Sequence, residues 1–182
     1  MSALPDDSGG KLSAEALKRI DVEVAKYPPQ QKRSAALAAL VIAQGELGWL
    51  PSWAIEAVAG YLGMPPIAAY EVATFYSMFD LQPVGRFKLS LCTNLPCALS
   101  GATRAAAHLK ARLGIGFGET TPDGLFTLKE GECFGACGDA PVVLVNNKRM
   151  CSFLSEERLD ELLDELRRTA GLPSPLGERG RG

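Results

Sequence analysis

The sequence predicts an α+β fold in which a bundle of short helices precedes a domain of alternating strands and helices. Apolar residues recur at steps of three and four in its first part, and a period-two pattern begins at Phe87. We expect a helical bundle over residues 13–80 and a strand-containing domain over 86–168. Residues 1–12 and 169–182 are predicted to be a flexible N-terminus and a flexible tail.

Four helices are predicted in the first part, each bounded by a recognisable start or stop signal. The first follows an N-cap at Ser13 and stops before Pro28, because proline cannot continue a helix. The other three are predicted from about Ser34 to Leu47 with Gly48 as C-cap, from an N-cap at Ser52 to Gly63, and from Pro65 or Pro66 through Phe79. Short loops between four such helices favour a compact bundle.

The second part reads in the order strand, helix, strand, strand, strand, helix. Its predicted segments are the strand RFKLSLC at 86–92, a helix at 99–114, the strand LFTLKEGE at 125–132, the hairpin PVVLVNNKRM at 141–150 and a helix from Ser155. A turn at 121–124 precedes the second strand, and Asn146-Asn147 is expected to form the hairpin turn. The last helix should bury a leucine stripe.

Composition and charge disfavour several classes of function. The 182 residues are 47% hydrophobic and carry a net charge of −2, so neither a basic footprint for nucleic acid nor a basic run for a membrane surface is present. The N-terminal residues resemble neither a secretory signal nor a transit peptide, and the apolar run at 37–43 is too short to span a membrane. We therefore expect a soluble cytoplasmic protein.

Four of the five cysteines occur as two close pairs, CTNLPC at 92–97 and CFGAC at 133–137. Disulfides rarely persist in reducing cytosol, so such pairs more often bind metal or do redox chemistry. Each pair follows a predicted strand. If the two strands are parallel neighbours, all four thiols emerge at one end of the sheet, as a four-thiolate site requires.

The spacings within the two cysteine pairs are compatible with more than one metal. A four-cysteine zinc site tolerates both C-x4-C and C-x3-C. The C-x2-C-x2-C run of 4Fe-4S ferredoxins and the plant-type run are absent, and His108 is the only histidine, whereas a Rieske centre needs two. Thioredoxin-like catalysis would need C-x-x-C, which does not occur. This chemistry favours a 2Fe-2S cluster over zinc without excluding zinc.

Beyond the cysteines, longer stretches carry a family resemblance. The segments CTNLPC, ECFGACGDAP, EVATFYSMFDLQPVGR and GETTPDGLFTL resemble the 2Fe-2S subunit of respiratory NADH:quinone oxidoreductase, complex I, of bacteria. The resemblance covers roughly residues 13–168. Gamma subunits of NAD-dependent formate dehydrogenases and of NAD-reducing hydrogenases share the architecture. They remain the alternative assignment, and a zinc interaction module remains the alternative from a different class.

The resemblance implies a thioredoxin-like 2Fe-2S ferredoxin domain after the helical bundle, and one 2Fe-2S cluster in an electron-transfer subunit. It assigns Cys92 and Cys97 to one iron and Cys133 and Cys137 to the other. It also implies a partner flavoprotein that binds FMN and NADH, a large iron-sulfur subunit, and a place in the peripheral arm on the cytoplasmic side of the inner membrane. This chain would then hold neither an NADH nor a quinone site and would not insert into the membrane.

The remaining cysteine and the histidine have simpler interpretations. Cys151 is unpaired and follows the predicted hairpin, so it is expected to be a small core residue. His108 lies in mid-helix among alanines and is expected to be a solvated or packing residue. No Ser-His-Asp or Cys-His constellation is evident, and no catalytic residue is predicted.

Overall fold

The structure, a computed structural model, describes residues 10–171, and these divide into two compact units between Pro83 and Val84. We call them the helical unit and the sheet unit. The flexible ends predicted at 1–12 and 169–182 lie outside the described residues, except for 10–12 and 169–171. Helices followed by a mixed sheet confirm the predicted α+β class. Within residues 10–171, no helix combines the length and apolar character needed to cross a bilayer.

The helical unit consists of four α-helices around one apolar core. They are α1 (Ala14–Val24), α2 (Ala36–Leu47), α3 (Ser52–Leu62) and α4 (Pro66–Phe75), with a 3-10 segment at Pro29–Ala35. Ser13 caps α1 as predicted, since its Oγ accepts from the Ala16 N–H at 3.0 Å. The predicted C-caps Gly48 and Gly63 both adopt positive φ, 84° and 66°.

Three predicted boundaries in this unit are wrong. Ser52 is the first residue of α3 and not its N-cap, because Pro51 takes the extended capping conformation. The predicted second helix is split at Ala35, where the 3-10 segment ends. The fourth helix ends at Phe75 and not at Phe79, since Tyr76 is extended.

A glutamine on α2 explains why the chain after Phe75 need not stay helical. Gln44 donates from Nε2 to the Met78 carbonyl at 3.0 Å, and its Oε1 accepts from the Asp80 N–H at 2.7 Å. The Asp80 carbonyl in turn accepts from the Leu50 N–H at 2.7 Å. Backbone groups that would lose helical partners are therefore satisfied within the unit.

The sheet unit has four strands in the order β2-β1-β3-β4. The strands are β1 (Phe87–Cys92), β2 (Phe126–Gly131), β3 (Val143–Val145) and β4 (Arg149–Cys151). Strand β1 runs parallel to β2 and antiparallel to β3, and β3 and β4 form the predicted hairpin. The hairpin turn has Asn146 and Asn147 at φ 50° and 56°, as a primed turn requires.

Two long helices cover the apolar core of this unit. They are α6 (Thr103–Leu113) and α7 (Glu156–Thr169), and the leucines of α7 form the predicted buried stripe. The helix predicted at 99–114 starts later than expected. A short turn, α5 (Leu95–Cys97), and a π-type turn at Ala98–Ala102 come first, and Gly101 in the latter has φ 103°.

A charged cluster joins α6 to α7. Asp160 Oδ1 accepts from Arg112 Nε at 2.7 Å and lies 2.9 Å from His108 Nε2. Partial burial acts to raise the pKa of Asp160, but its bonds to His108 and Arg112 outweigh burial and lower it. His108 is therefore a packing residue that links the two helices.

We expect Asp160→Asn to lower the free energy of unfolding at pH 7 by about 1–2 kcal/mol, because the substitution removes a charge-assisted link between α6 and α7. The folded-state pKa lies below the ordinary value of 3.8, so the stabilisation is complete above that pH and is lost as pH falls through the folded value. Urea unfolding at several pH values should show the variant and wild type converging at the acidic end. Glu161→Gln is the matched control, and equal losses in both variants would contradict this role.

Candidate metal centre

The first cysteine pair lies where β1 passes into α5. Cys92 is the last residue of β1 and Cys97 the last residue of α5, and they are 2% and 1% exposed. Both pack with Ala102 and Val142 in a small apolar cluster. The Cys92 N–H donates to the Val142 carbonyl at 3.1 Å, which holds this end of β1 against the chain that enters β3.

The second pair lies in a glycine-rich loop after β2, and both of its cysteines, Cys133 and Cys137, are exposed. A Cβ at Gly131 would clash with the ring of Phe134, so any larger residue at that position requires the ring to shift. Gly135 has φ 72°, and its N–H points to Cys133 Sγ at 3.5 Å. The loop thus offers a backbone donor to sulfur, the type of contact that stabilises thiolate ligands.

Parallel pairing brings the two cysteine pairs to one end of the sheet. Cys92 is in register with Gly131, so both loops begin at the carboxyl ends of neighbouring strands. Burial raises the pKa of the Cys97 thiol to about 11, and a hydrogen bond with Cys92 and the nearby sulfurs of Cys92 and Cys137 add to this effect. Three of the four predicted thiols are therefore close enough to interact.

The arrangement of the cysteine thiols and their chemistry indicate which metal group the site could bind. Across residues 10–171, no group of three or more His, Cys, Asp or Glu side chains is arranged to hold a metal ion. The thiols instead form two pairs, one buried and one in a loop with a backbone N–H directed at sulfur. Four cysteines in two pairs match the Cys₄ donor set of a binuclear iron-sulfur cluster.

The sequence does not predict one link between the two cysteine loops, which is made by hydrogen bonds of Thr93. Thr93 Oγ donates to Glu130 Oε1 at 2.9 Å, and the Thr93 N–H donates to the Gly131 carbonyl at 3.0 Å. Threonine after one cysteine and glutamate before another carry no recognisable signal on their own. Only the strand register, with Cys92 beside Gly131, brings them together.

Large apolar side chains that are exposed to solvent flank the cysteine loops. Leu95 and Leu99, on α5 and the π-type turn, are 68% and 81% exposed, and Phe153 is 57% exposed. Phe153 has φ 53°, a conformation that bulky residues rarely adopt. Its N–H donates to the carbonyl of Asp139 at 2.8 Å, which ties Phe153 to the turn that contains Cys137.

Cys151 lies elsewhere in the sheet unit. It ends β4, two strands from β1, and is half-buried against the apolar core. Burial raises the pKa of its thiol. Its position agrees with the expected role as a small core residue.

Gly131→Ala is expected to displace the Phe134 ring and lower the free energy of unfolding by about 1–3 kcal/mol, as overpacking does. Guanidinium unfolding of the full chain measures the effect. Gly138→Ala is the matched control in the same loop, since no atom lies within 4 Å of its added Cβ. Equal stability of both variants would mean that the loop does not depend on close packing at Gly131.

Comparison with known proteins identifies the family of this chain. A family model described as thioredoxin-like [2Fe-2S] ferredoxin matches residues 20–167. A subunit of NADH-quinone oxidoreductase from Rickettsia felis is 50% identical over 143 residues, covering 78% of this chain and 85% of the relative. The equivalent NADH-quinone oxidoreductase subunit from Rhizobium meliloti is 47% identical over 150 residues, covering 82% and 88%.

Solved structures with the same fold include NAD+-reducing [NiFe]-hydrogenase. Its air-oxidised form has a TM-score of 0.64 at 24% identity, covering 80% of this chain and 24% of that one. Its H2-reduced form has a TM-score of 0.64 at 26% identity, covering 76% and 22%. This chain thus spans about a quarter of the hydrogenase chain. By the extent of the family match, the chain belongs to the thioredoxin-like [2Fe-2S] ferredoxins.

Proposed function

We propose that this chain is the 2Fe-2S electron-transfer subunit of a bacterial NADH:quinone oxidoreductase and exchanges single electrons with FMN in a partner flavoprotein subunit. The observation that carries the proposal is 47–50% identity, over about four-fifths of the chain, to proteins named as subunits of that enzyme. The chain would contribute to the enzyme as one subunit, with the NADH and quinone sites elsewhere in the complex. It would lie in the peripheral arm on the cytoplasmic side of the membrane, with the large iron-sulfur subunit as a second partner.

In this proposal, Cys92 and Cys97 hold one iron and Cys133 and Cys137 hold the other. A bound 2Fe-2S cluster supplies a one-electron redox couple. The buried first pair excludes water from one side of the centre, and the apolar contacts of Ala102 and Val142 maintain that exclusion. The raised pKa of Cys97 disfavours its thiolate in the absence of metal, and metal binding would displace the thiol proton.

The loop with the second pair leaves the other side of the centre open to solvent. The Gly135 N–H is directed at Cys133 Sγ and would stabilise a thiolate there. Because electron transfer needs close approach, we assign the docking of the partner to this open side. The chain thus shields one half of its centre from water and exposes the other half to the partner subunit.

Exposed apolar side chains near the cysteine loops support a protein partner. Leu95, Leu99 and Phe153 are exposed apolar side chains beside the cysteine loops, and docking of a protein would remove them from water. The backbone of Phe153 stays in its unfavourable conformation because Asp139 and Arg158 bond its N–H and its carbonyl. We therefore propose that these three residues contact the flavoprotein subunit.

Charge indicates which kind of surface that partner presents. Residues 130–139 contain Glu130, Glu132 and Asp139 and no lysine or arginine. A flavoprotein surface with basic residues around an apolar centre complements this loop. Such an arrangement speeds association and selects the partner more than it tightens binding.

An equivalent subunit of an NAD-reducing hydrogenase or a formate dehydrogenase is the alternative. The hydrogenase structures share the fold at 24–26% identity, well below the 47–50% of the quinone oxidoreductase subunits. The higher identity favours the quinone enzyme. Copurification of the native complex, followed by identification of its subunits, would distinguish these assignments.

The cluster and its ligands are tested by anaerobic purification of the full chain. We expect iron and sulfide in equal amounts, visible absorption, and a reduced-state EPR signal of a binuclear cluster. Cys92→Ser and Cys137→Ser should weaken or abolish the signal, because each removes a thiolate ligand, and Cys151→Ser should leave it intact. Stoichiometric zinc without iron would overturn the proposal, and loss of signal in all three variants would overturn the ligand set.

The docking surface is tested with the purified flavoprotein subunit. Leu99→Glu should weaken binding by about 1–3 kcal/mol, because it places a charge in the apolar contact. Isothermal titration of the loaded chain gives the affinity. Val22→Glu on α1, at a residue that is 63% exposed, is the matched control. Undiminished binding of the Leu99 variant would rule out this surface.

A further inference from the structure

The link between Thr93 and Glu130 lies where the two cysteine loops begin. Thr93 directly follows Cys92, and Glu130 precedes Cys133 by three residues. The strand pairing ends at Cys92 and Gly131, and Thr93 extends it by one backbone and one side-chain hydrogen bond. These two bonds hold one loop against the other at the point of departure from the sheet.

Another contact between the loops would not survive metal binding. Cys92 Sγ donates to the Glu132 carbonyl at 3.2 Å. This contact needs a thiol proton, and a cysteine that binds metal is a thiolate without one. The bonds of Thr93 involve no ligand sulfur, so they are retained when metal is bound.

The same link also holds a negative charge in place. Glu130 is exposed, and a free glutamate side chain at the surface samples many rotamers. The hydroxyl of Thr93 restrains its carboxylate beside the start of the cysteine loops. A fixed anion near a redox centre opposes the gain of an electron and lowers the reduction potential.

We propose that Thr93 and Glu130 are positioning residues of the metal centre, which set the separation of the two cysteine loops and keep a carboxylate near the cluster. The proposal rests on the ligand set proposed above. Thr93 acts through a hydrogen bond that fixes geometry, and Glu130 acts through the same bond and through its charge. Neither residue is a ligand.

Four variants separate the hydrogen bond from the charge. Thr93→Val keeps the shape but removes the donor, and Thr93→Ser restores the donor. Glu130→Gln removes the charge but keeps an acceptor oxygen, and Glu130→Ala removes both. The full chain loaded with its cluster is used throughout, and two quantities are measured: the rate of iron release to a chelator, and the midpoint potential by EPR-monitored redox titration.

The two measurements should respond differently. Thr93→Val and Glu130→Ala should release iron about tenfold faster than wild type, because the link between the loops is lost. Thr93→Ser and Glu130→Gln should release it at nearly the wild-type rate. The midpoint potential should become more positive in both Glu130 variants and in Thr93→Val, where the carboxylate is no longer restrained, and Thr93→Ser should restore it.

Control variants distinguish a general loss of stability from a specific effect on iron release and midpoint potential. Glu161→Gln on α7 makes the same change of charge away from the cysteine loops and should alter neither quantity. The double variant Thr93→Val/Glu130→Ala should release iron no faster than either single variant, because both remove one bond. If Thr93→Val does not fold, Glu130→Ala breaks the same bond from the other partner.

Several results would overturn the inference. One is a Thr93→Val or Glu130→Ala protein that folds and matches wild type in both iron release and potential. Another is a Thr93→Ser protein that behaves as Thr93→Val does. If wild type itself shows no binuclear signal, the proposed function and this inference both fail, whereas a normal wild-type cluster with unaffected variants rejects the positioning role alone.

Discussion

Parallel pairing of β1 with β2 is the interaction on which the proposed metal centre depends. It places Cys92 beside Gly131, so the loops that follow both strands start from the same end of the sheet. An antiparallel arrangement would send the two cysteine pairs to opposite ends. The helix α6 serves as the crossover that parallel strands require, and with α7 it covers the apolar face of the sheet.

This constraint gives the proposed centre two unlike halves. The pair that follows the central strand is buried, because β1 has neighbours on both sides and Val142 closes over its end. The pair that follows the edge strand β2 is exposed in a loop rich in glycine. Burial protects a redox centre from water, and exposure lets a partner approach it.

Several parts of the fold are readable from local patterns, whereas the end of α4 is not. The caps at Ser13, Gly48 and Gly63 and the turn at Asn146-Asn147 are local backbone signals, and the structure contains all of them. Helix α4 ends before the predicted Phe79 because Gln44, over thirty residues away in sequence, bonds the backbone of the chain after Phe75. Apolar periodicity reports which residues are buried, but it does not report where distant side chains bind the backbone.

For this protein, the sequence alone determined the order of elements, the four candidate thiols and the resemblance that led to an iron-sulfur centre. Each depends on residue type and spacing along the chain. Tertiary structure decided which cysteines are buried, that Thr93 meets Glu130, and that Leu95, Leu99 and Phe153 lie exposed around the cysteine loops. These features depend on strand register and on contacts between segments far apart in sequence, and no local pattern encodes them.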